Sequence, residues 1–184
     1  MKWITTLAFG VSLLVPVAAA TPPVPRPAGE FRFVDASGMT RNLSQYRGKV
    51  VVMQFLYTTC THCQATARML SKLQSELGSR GVQVLGIAFD PDAQAKPEAV
   101  RNFIGANGVT FPVGAASSES VLGYLGISLM ERFMVPQIVI VDRKGMVRAQ
   151  SEAQGSAELQ DETHLRSLLT DLLQGVSPAA RSRR

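Results

Sequence analysis

The sequence is poor in cysteine, histidine and tryptophan, with two, two and one of them among 184 residues. A structural zinc site needs four ligands, and one of the two histidines lies between the cysteines, where it is poorly placed to share an ion with them. The chain also lacks internal repeats, low-complexity linkers and a dense basic segment with interleaved aromatic residues. These absences argue against a zinc module, a repeat protein and a nucleic-acid-binding domain.

Positive charge is concentrated at the two ends of the chain. The formal net charge is +5, and neither terminal segment contains an acidic residue. Four of the nineteen basic residues lie there: Lys2, Arg181, Arg183 and Arg184. The middle of the chain is therefore close to neutral. Residues 176–184 have no apolar periodicity, which predicts a basic disordered tail that is solvated or, alternatively, touches anionic lipid or a partner.

Residues 1–20 have the pattern of an export signal. Lys2 supplies a short positive region, residues 3–17 are mostly apolar, and an alanine triplet at 18–20 offers an A-x-A cleavage site. An uncleaved membrane anchor is the alternative, because the apolar stretch is nearly long enough to span a bilayer. Residues 21–29 are rich in proline and predict an extended linker. We therefore expect an exported protein, which is periplasmic if the host is a bacterium and otherwise secreted or membrane-anchored.

The only two cysteines, Cys60 and Cys63, are separated by two residues. An apolar run at 50–53 precedes them, and a helical pattern follows from Ala65. A CxxC at a strand-to-helix junction places its first sulfur at a helix N-terminus, where backbone N–H groups and the helix dipole stabilise a thiolate. A disulfide across two residues closes too small a loop to stabilise the fold much. The pair therefore predicts a redox-active dithiol.

Residues 30–175 are expected to form one α/β domain. A short hairpin near the start is followed by alternating apolar runs and helical patterns, and then by a second hairpin and a last helix. The predicted strands lie at 49–56 and 82–89, the second hairpin at 134–147, and the helices start at Ala65, Pro97, Ser118 and near Glu162. Because strand–helix–strand units give parallel strands covered by helices, we expect a mixed central sheet with helices on both faces.

Several motifs in a fixed order make the chain similar to the thioredoxin superfamily. Within it, the chain resembles the exported TlpA/ResA-like branch, with a domain of the AhpC/TSA–redoxin type. The motifs are the CxxC after the first core strand and the segments 33–38, 42–55, 135–136 and 141–145. The resemblance covers roughly residues 30–173. It implies a thioredoxin-like fold, with a mixed central β-sheet, helices on both faces and an N-terminal β-hairpin extension.

The resemblance also implies roles for four residues. Cys60 would form a mixed disulfide with a protein substrate, and Cys63 would be the resolving thiol. Pro136 would follow a cis peptide bond and lie opposite Cys60, while the backbone of Val135 would pair with the substrate chain. The Cys60–Cys63 disulfide would be the redox centre, without a bound cofactor or metal. The expected partners are protein thiols or disulfides and a membrane or soluble redox protein, but no nucleic acid.

Three positions depart from the pattern of this family. Thr59 stands where tryptophan is usual, Gln54 replaces a buried aspartate that assists proton transfer, and Thr66 replaces a glutamate near the active site. We therefore expect proton transfer to use His62, the threonine hydroxyls or water.

The dipeptide between the cysteines, Thr61-His62, is similar to that of oxidising members of the superfamily. An imidazolium beside the helix N-terminus would stabilise the Cys60 thiolate and lower its pKa. Because the potential of a dithiol depends on how well its reduced form is stabilised, we expect a couple more oxidising than that of thioredoxin. An exposed histidine with little influence is the alternative.

Two other functions are alternatives to thiol–disulfide exchange. A copper-binding metallochaperone of the SCO type would use Cys60 and Cys63 with a distal histidine, His164, or with the thioethers of Met130 and Met134. That family places three residues between its cysteines, and this chain has two.

A peroxidase of the peroxiredoxin type is the second alternative. Such a site needs a threonine three residues before the attacking cysteine, and Tyr57 occupies that position. An exported thiol–disulfide oxidoreductase is therefore the leading interpretation, and the sequence leaves open whether it reduces or oxidises its substrates.

Overall fold

A computed structural model describes residues 21–176 of the chain. The predicted export segment and, apart from Val176, the predicted basic tail lie outside these residues. The strands are β1 Arg26–Pro27, β2 Arg32–Asp35, β3 Thr40–Asn42, β4 Val50–Leu56, β5 Val82–Ala88, β6 Val113–Ala115, β7 Gln137–Val141 and β8 Met146–Gln150. The helices are α1 Thr61–Leu77, α2 Pro91–Ala95, α3 Pro97–Asn107, α4 Ser118–Leu125, α5 Ala157–Gln160 and α6 Glu162–Leu173. Within residues 21–176, none of the helices combines the length and the apolar character that crossing a membrane requires.

All eight strands form one sheet in the order β1-β8-β7-β4-β5-β6-β2-β3. The pairs β4–β5 and β5–β6 are parallel, and the other pairs are antiparallel. This confirms the predicted mixed sheet. The β4 strand lies between β5 and β7, and all seven of its residues are buried. A strand that is covered on both faces has a nearly continuous run of apolar residues, and this run predicted the position of β4 correctly.

Helices cover both faces of the sheet, as predicted. On one face, Val50 and Val52 of β4 belong to a core that includes apolar residues of α1, α3 and α6. On the other face, Val51, Met53 and Phe55 pack with residues of α4 and of the N-terminal segment. Successive residues of a strand point to opposite faces, so β4 contributes to both cores.

The N-terminal part of the domain differs from its prediction in one respect. The hairpin β2–β3 forms as expected and extends the sheet beyond β6. Residues 21–29, however, are not a linker that stands free of the domain. Arg26 pairs with Val147 of β8, and the buried Ala28 donates its backbone N–H to the Gly145 carbonyl at 2.9 Å. The segment is extended, and the outer edge of β8 offers backbone groups with which an extended chain can pair.

Two hairpins of the sheet close with the same turn. Residues 35–41 and 142–148 both read Asp-x-x-Gly-Met-x-Arg, and the glycine has a positive φ in each, 83° and 79°. The carboxylates of Asp35 and Asp142 each accept hydrogen bonds from the backbone N–H groups two and four residues later. Each also accepts one from the arginine Nε six residues later, at 2.6 Å. A buried aspartate with charge-assisted hydrogen bonds therefore organises both turns.

Besides β1, three short elements were not predicted, namely β6, α2 and α5. They contain three, five and four residues, which is too short for a helical or alternating pattern to be recognised. The longer helices agree closely with the sequence. The bounds of α4 match the prediction, and Asp161 caps α6 by accepting a hydrogen bond from the His164 backbone N–H at 2.7 Å.

Candidate active site

The two cysteines lie where β4 ends and α1 begins. The helix starts at Thr61, one turn earlier than its apolar pattern indicates, and Cys60 is its N-cap residue. The Cys60 Sγ accepts a hydrogen bond from the backbone N–H of Cys63, with an N···S distance of 3.2 Å. Sulfur is not among the usual N-cap atoms, so the pattern of capping residues did not reveal this start. The first sulfur thus lies at the N-terminus of α1, as the sequence predicted.

The two sulfur atoms differ in their access to solvent. Both residues are present as thiols; Cys60 is half-buried, whereas Cys63 is fully buried at 0% exposure. Burial raises the pKa of the Cys63 thiol, and its hydrogen bond with the Cys60 thiol raises that pKa further. Cys63 therefore keeps its proton at neutral pH, and a protein partner can reach only Cys60.

The segment before β7 lies opposite Cys60. The Val135–Pro136 peptide bond is cis, as the resemblance implied. The Cys60 thiol donates to the carbonyl oxygen of Val135 at 3.8 Å, within the longer range of sulfur hydrogen bonds. Because β7 is the direct neighbour of β4, the start of β7 and the end of β4 meet at the same edge of the sheet. The structure thus brings Cys60, Cys63, Val135 and Pro136 together.

Asp90 is a further residue of this site, and no sequence motif pointed to it. Its Oδ1 accepts the backbone N–H of Thr58 at 2.7 Å, and its Oδ2 accepts the Thr58 hydroxyl and the Ala93 N–H, each at 3.0 Å. Both Asp90 and Thr58 are buried. These contacts join the end of β5 to the loop that precedes Cys60. The position of Asp90 after a strand parallel to β4 was the available signal, since such strands end at the same edge.

Two buried glutamines support the segments that carry the site. The Nε2 of Gln54 donates to the Cys63 carbonyl at 2.9 Å. The Nε2 of Gln137 lies 2.7 Å from the Met134 carbonyl and 3.0 Å from the carbonyls of Glu152 and Ala153. Neither side-chain oxygen has a hydrogen-bond partner within residues 21–176. Gln54 is a neutral amide, so it holds the start of α1 without titrating.

Thr61 and His62, between the cysteines, are both exposed on the first turn of α1. Thr59 is exposed as well, whereas Thr66 is buried. The hydroxyl of Thr58 donates to Asp90, which removes one threonine from the candidates for proton transfer. The role of His62 in tuning the dithiol stays a prediction.

An apolar surface adjoins the site. The Tyr57 ring lies 4.7 Å from that of Phe89 and 6.5 Å from that of Phe133, and the Tyr57 carbonyl accepts the Cys60 N–H at 3.2 Å. Three exposed apolar side chains precede Val135 along the chain: Leu129 (69% exposed), Met130 (94%) and Met134 (57%).

The histidine of the copper alternative lies apart from the cysteines. His164 lines a cavity beside α6 and β8 with residues such as Ala149 and Leu168, and neither cysteine borders that cavity. Across residues 21–176, three or more His, Cys, Asp or Glu side chains nowhere form a group that could hold a metal ion. His164, the distal histidine of this alternative, is therefore not at the dithiol.

Comparison with known proteins agrees with the fold. The model of the AhpC/TSA family matches residues 24–150. The chain belongs to the AhpC/TSA family. Among its curated relatives is the thiol-disulfide oxidoreductase ResA of Bacillus thuringiensis, which is 26% identical over 120 residues. That match covers 65% of this chain and 64% of the relative, slightly less than two thirds of its length.

Solved structures similar to this member of the AhpC/TSA family have the thioredoxin-like fold. The thioredoxin domain of a thiol-disulfide oxidoreductase from Bacteroides vulgatus has a TM-score of 0.67 at 18% identity, covering 83% of this chain and 99% of that one. A thiol:disulfide interchange protein of the thioredoxin family from Chlorobium tepidum has a TM-score of 0.67 at 22% identity, with the same coverage. At these identities the similarity shows the fold, and it confirms the predicted fold class.

Proposed function

We propose that this protein is a thiol–disulfide oxidoreductase that exchanges a Cys60–Cys63 dithiol or disulfide with protein substrates. One observation carries the proposal: an accessible Cys60 sulfur and a buried Cys63 sulfur share the start of α1, and the Val135 carbonyl faces the accessible one. This arrangement separates an attacking thiol from a resolving thiol. The similarity to thiol-disulfide oxidoreductases supports the same reaction class.

In the reducing direction, Cys60 attacks a substrate disulfide as a thiolate. A bond forms between the Cys60 sulfur and one substrate sulfur, the substrate S–S bond breaks, and the departing substrate sulfur takes up a proton. The backbone N–H groups at the start of α1 favour the Cys60 thiolate because they direct positive partial charge towards it. The backbone of Val135 lies beside the reacting sulfur and can pair with the substrate chain on either side of its cysteine.

Cys63 then resolves the mixed disulfide. Its sulfur attacks the Cys60 sulfur, the Cys60–Cys63 bond forms, and the substrate leaves as a thiol that carries the proton lost by Cys63. Two electrons have then passed from the dithiol to the substrate. Because Gln54 is not an acid or a base, this proton passes to the departing sulfur directly or through water. A dithiol from a membrane or soluble redox protein restores the reduced state, and the reverse sequence oxidises a substrate dithiol.

The proposed site of action is outside the cytoplasm, in the periplasm if the host is bacterial. The pattern of residues 1–20 supports export. A dithiol that is repeatedly oxidised and reduced suits such a compartment, where disulfides persist. His62 is proposed to make the couple more oxidising, with Thr61 as its neighbour on the same turn.

The test uses serine variants of each cysteine with insulin as the disulfide substrate. We expect Cys63→Ser to accumulate a mixed disulfide that dithiothreitol releases, because the resolving thiol is missing. Cys60→Ser should form none, and the double variant controls for non-specific adducts. Insulin reduction by Cys60→Ser at the wild-type rate would show that the proposed function is wrong.

A further inference from the structure

Exposed basic residues collect at one end of the central sheet. The β4 and β5 strands are parallel and β7 is antiparallel to β4, so the starts of β4 and β5 and the end of β7 lie at the same edge. The loops there carry five exposed cations: Arg47, Lys49, Arg80, Arg143 and Lys144. The Gly48 N–H donates to the Arg143 carbonyl at 3.3 Å, and the Arg143 guanidinium donates to the Arg80 carbonyl at 3.1 Å. These five residues form one surface, the basic end.

The charges of the basic end are not neutralised within the described residues. The ion pairs found in residues 21–176 use other lysines and arginines, and none includes a cation of the basic end. The neighbouring acids are already engaged. Asp142 is paired with Arg148, and Glu30 accepts the backbone N–H groups of Phe31 and Ser44. The basic end therefore carries a local excess of positive charge.

The opposite end of the sheet, where Cys60 lies, is acidic. The segments 89–98, 116–119, 126–136 and 151–158 all lie at that end, because they follow β5, β6 and β8 or precede β7. They contain seven acidic residues, namely Asp90, Asp92, Glu98, Glu119, Glu131, Glu152 and Glu158, but only two basic ones, Lys96 and Arg132. Although the domain is nearly neutral, its charge is separated along the strand direction.

We propose that the basic end docks on an anionic lipid bilayer, with Cys60 directed away from the membrane. A negatively charged plane attracts the basic end and repels the acidic end, so it orients the whole molecule without a specific contact. The cations come from three separate loops and, apart from Arg143, their side chains donate no hydrogen bond to any residue between 21 and 176. Such an arrangement suits lipid headgroups, which can move to meet the charges, better than the fixed pattern of an acidic protein.

The course of the chain supports this orientation. Val176, 38% exposed, lines the same surface as Arg143 and Lys144 after the end of α6. The sequence continues from there with three further arginines and no acid: Arg181, Arg183 and Arg184. The part of the chain that the structure describes thus ends at the basic end.

Vesicle co-sedimentation of the reduced protein from Thr21 onward tests the proposal, because the apolar residues 1–20 would insert into neutral bilayers as well. We expect binding to vesicles of equal parts phosphatidylglycerol and phosphatidylcholine, and no binding to pure phosphatidylcholine. Raising sodium chloride from about 50 mM to about 500 mM should release the protein, because salt screens exposed charges. Failure of the wild-type chain to bind the anionic vesicles at low salt overturns the proposal and leaves an acidic protein as the partner of the basic end.

Two triple variants with the same change in net charge locate the binding surface. We expect Arg47→Gln, Lys49→Gln and Lys144→Gln together to weaken vesicle binding about tenfold or more. Lys96→Gln, Arg101→Gln and Arg132→Gln together should change it less than about twofold, because these residues lie away from the basic end. Equal weakening by both sets would mean that only net charge matters, and the proposed surface would be wrong.

Two further measurements separate the basic end from the chain terminus and test the orientation. A variant with Arg181, Arg183 and Arg184 changed to glutamine should retain part of its binding; if it alone loses all binding, the basic end is not the docking surface.

Alkylation of Cys60 by a bulky maleimide should proceed equally fast with and without anionic vesicles. Protection of Cys60 on the vesicles would overturn the orientation.

Discussion

The carboxylate of Asp90 holds Thr58 by two hydrogen bonds, one from its backbone N–H at 2.7 Å and one from its hydroxyl at 3.0 Å. The pair links two neighbouring strands of the sheet just below the reactive sulfur, because Thr58 precedes Cys60 by two residues and Asp90 follows β5. Asp90 is therefore a positioning residue, which acts on Cys60 through the loop and does not touch the reacting atoms.

Removal of the Asp90 charge should lower the stability of the fold and change the reactivity of the Cys60 thiol. We expect Asp90→Asn to lower the free energy of unfolding by about 2 kcal/mol, because buried hydrogen bonds to a charged group are among the strong ones. The dependence of Cys60 alkylation on pH should shift as well, since the loop that places the sulfur at the helix N-terminus loosens. Asp92→Asn, in the next turn and exposed, is the control. An unchanged alkylation profile in Asp90→Asn would limit its role to stability.

The buried thiol should be unreactive in the folded protein. Because burial raises the pKa of Cys63, its thiolate is scarce at neutral pH and becomes available only as the pH rises towards that pKa. We expect iodoacetamide to label the Cys60→Ser variant slowly in buffer and rapidly in denaturant. The Cys63→Ser variant should be labelled rapidly in both. Fast labelling of Cys63 in native Cys60→Ser would contradict the burial of this sulfur.

The shared turn of the two hairpins predicts an acid-sensitive contribution to stability. Burial alone would raise the pKa of Asp35, but hydrogen bonds from Ser37, Arg41 and Met39 outweigh it and hold the pKa at about 2. Because the pKa of Asp35 is lower in the folded protein than its ordinary value of 3.8, the charged carboxylate stabilises the fold at pH values above 3.8. This stabilisation is lost as the pH falls from 3.8 towards 2. Asp142 has a lowered pKa for related reasons, with the Met146 backbone N–H and Arg148 as donors.

We therefore expect Asp35→Asn and Asp142→Asn each to destabilise the protein by about 1–2 kcal/mol at pH 7. The difference from wild type should shrink as the pH falls from 4 to 2, as urea unfolding at several pH values would show. The exposed Glu119→Gln serves as the control. A difference that stays constant down to pH 2 would mean that the carboxylate charge does not stabilise the turns.

The influence of His62 on the redox couple can be measured directly. If the imidazole stabilises the Cys60 thiolate, His62→Ala should lower the potential of the Cys60–Cys63 couple towards that of thioredoxin. A change of about 30 mV corresponds to about 1.4 kcal/mol for this two-electron couple. Thr61→Ala, one position earlier on the same exposed turn, is the matched control. Equal potentials for wild type and His62→Ala in glutathione buffers would assign the histidine no tuning role.

The sequence predicted those elements that can be recognised from residues close together in the chain. Helix α4 and strand β4 have a clear period or a continuous apolar run, and the CxxC marks the junction between strand and helix. The cis bond before Pro136 was available only through resemblance, because backbone isomers leave no periodic signal. The contact of Asp90 with Thr58 depends on the pairing of β4 with β5, which no single segment encodes. The pairing of residues 26–27 with the distant edge of β8 could not be predicted for the same reason.

Because Cys63 is completely buried and Cys60 is accessible, the two sulfur atoms of the dithiol respond differently to oxidants. Hydrogen peroxide or glutathione disulfide can reach only the outer sulfur, where it leaves a sulfenic acid or a glutathione adduct. The inner thiol displaces water from the first or glutathione from the second and forms the internal disulfide, before further oxygen atoms can add irreversibly. Under the proposed function, oxidative damage at this centre thus ends in the same disulfide as turnover, and the same reducing partner would repair both.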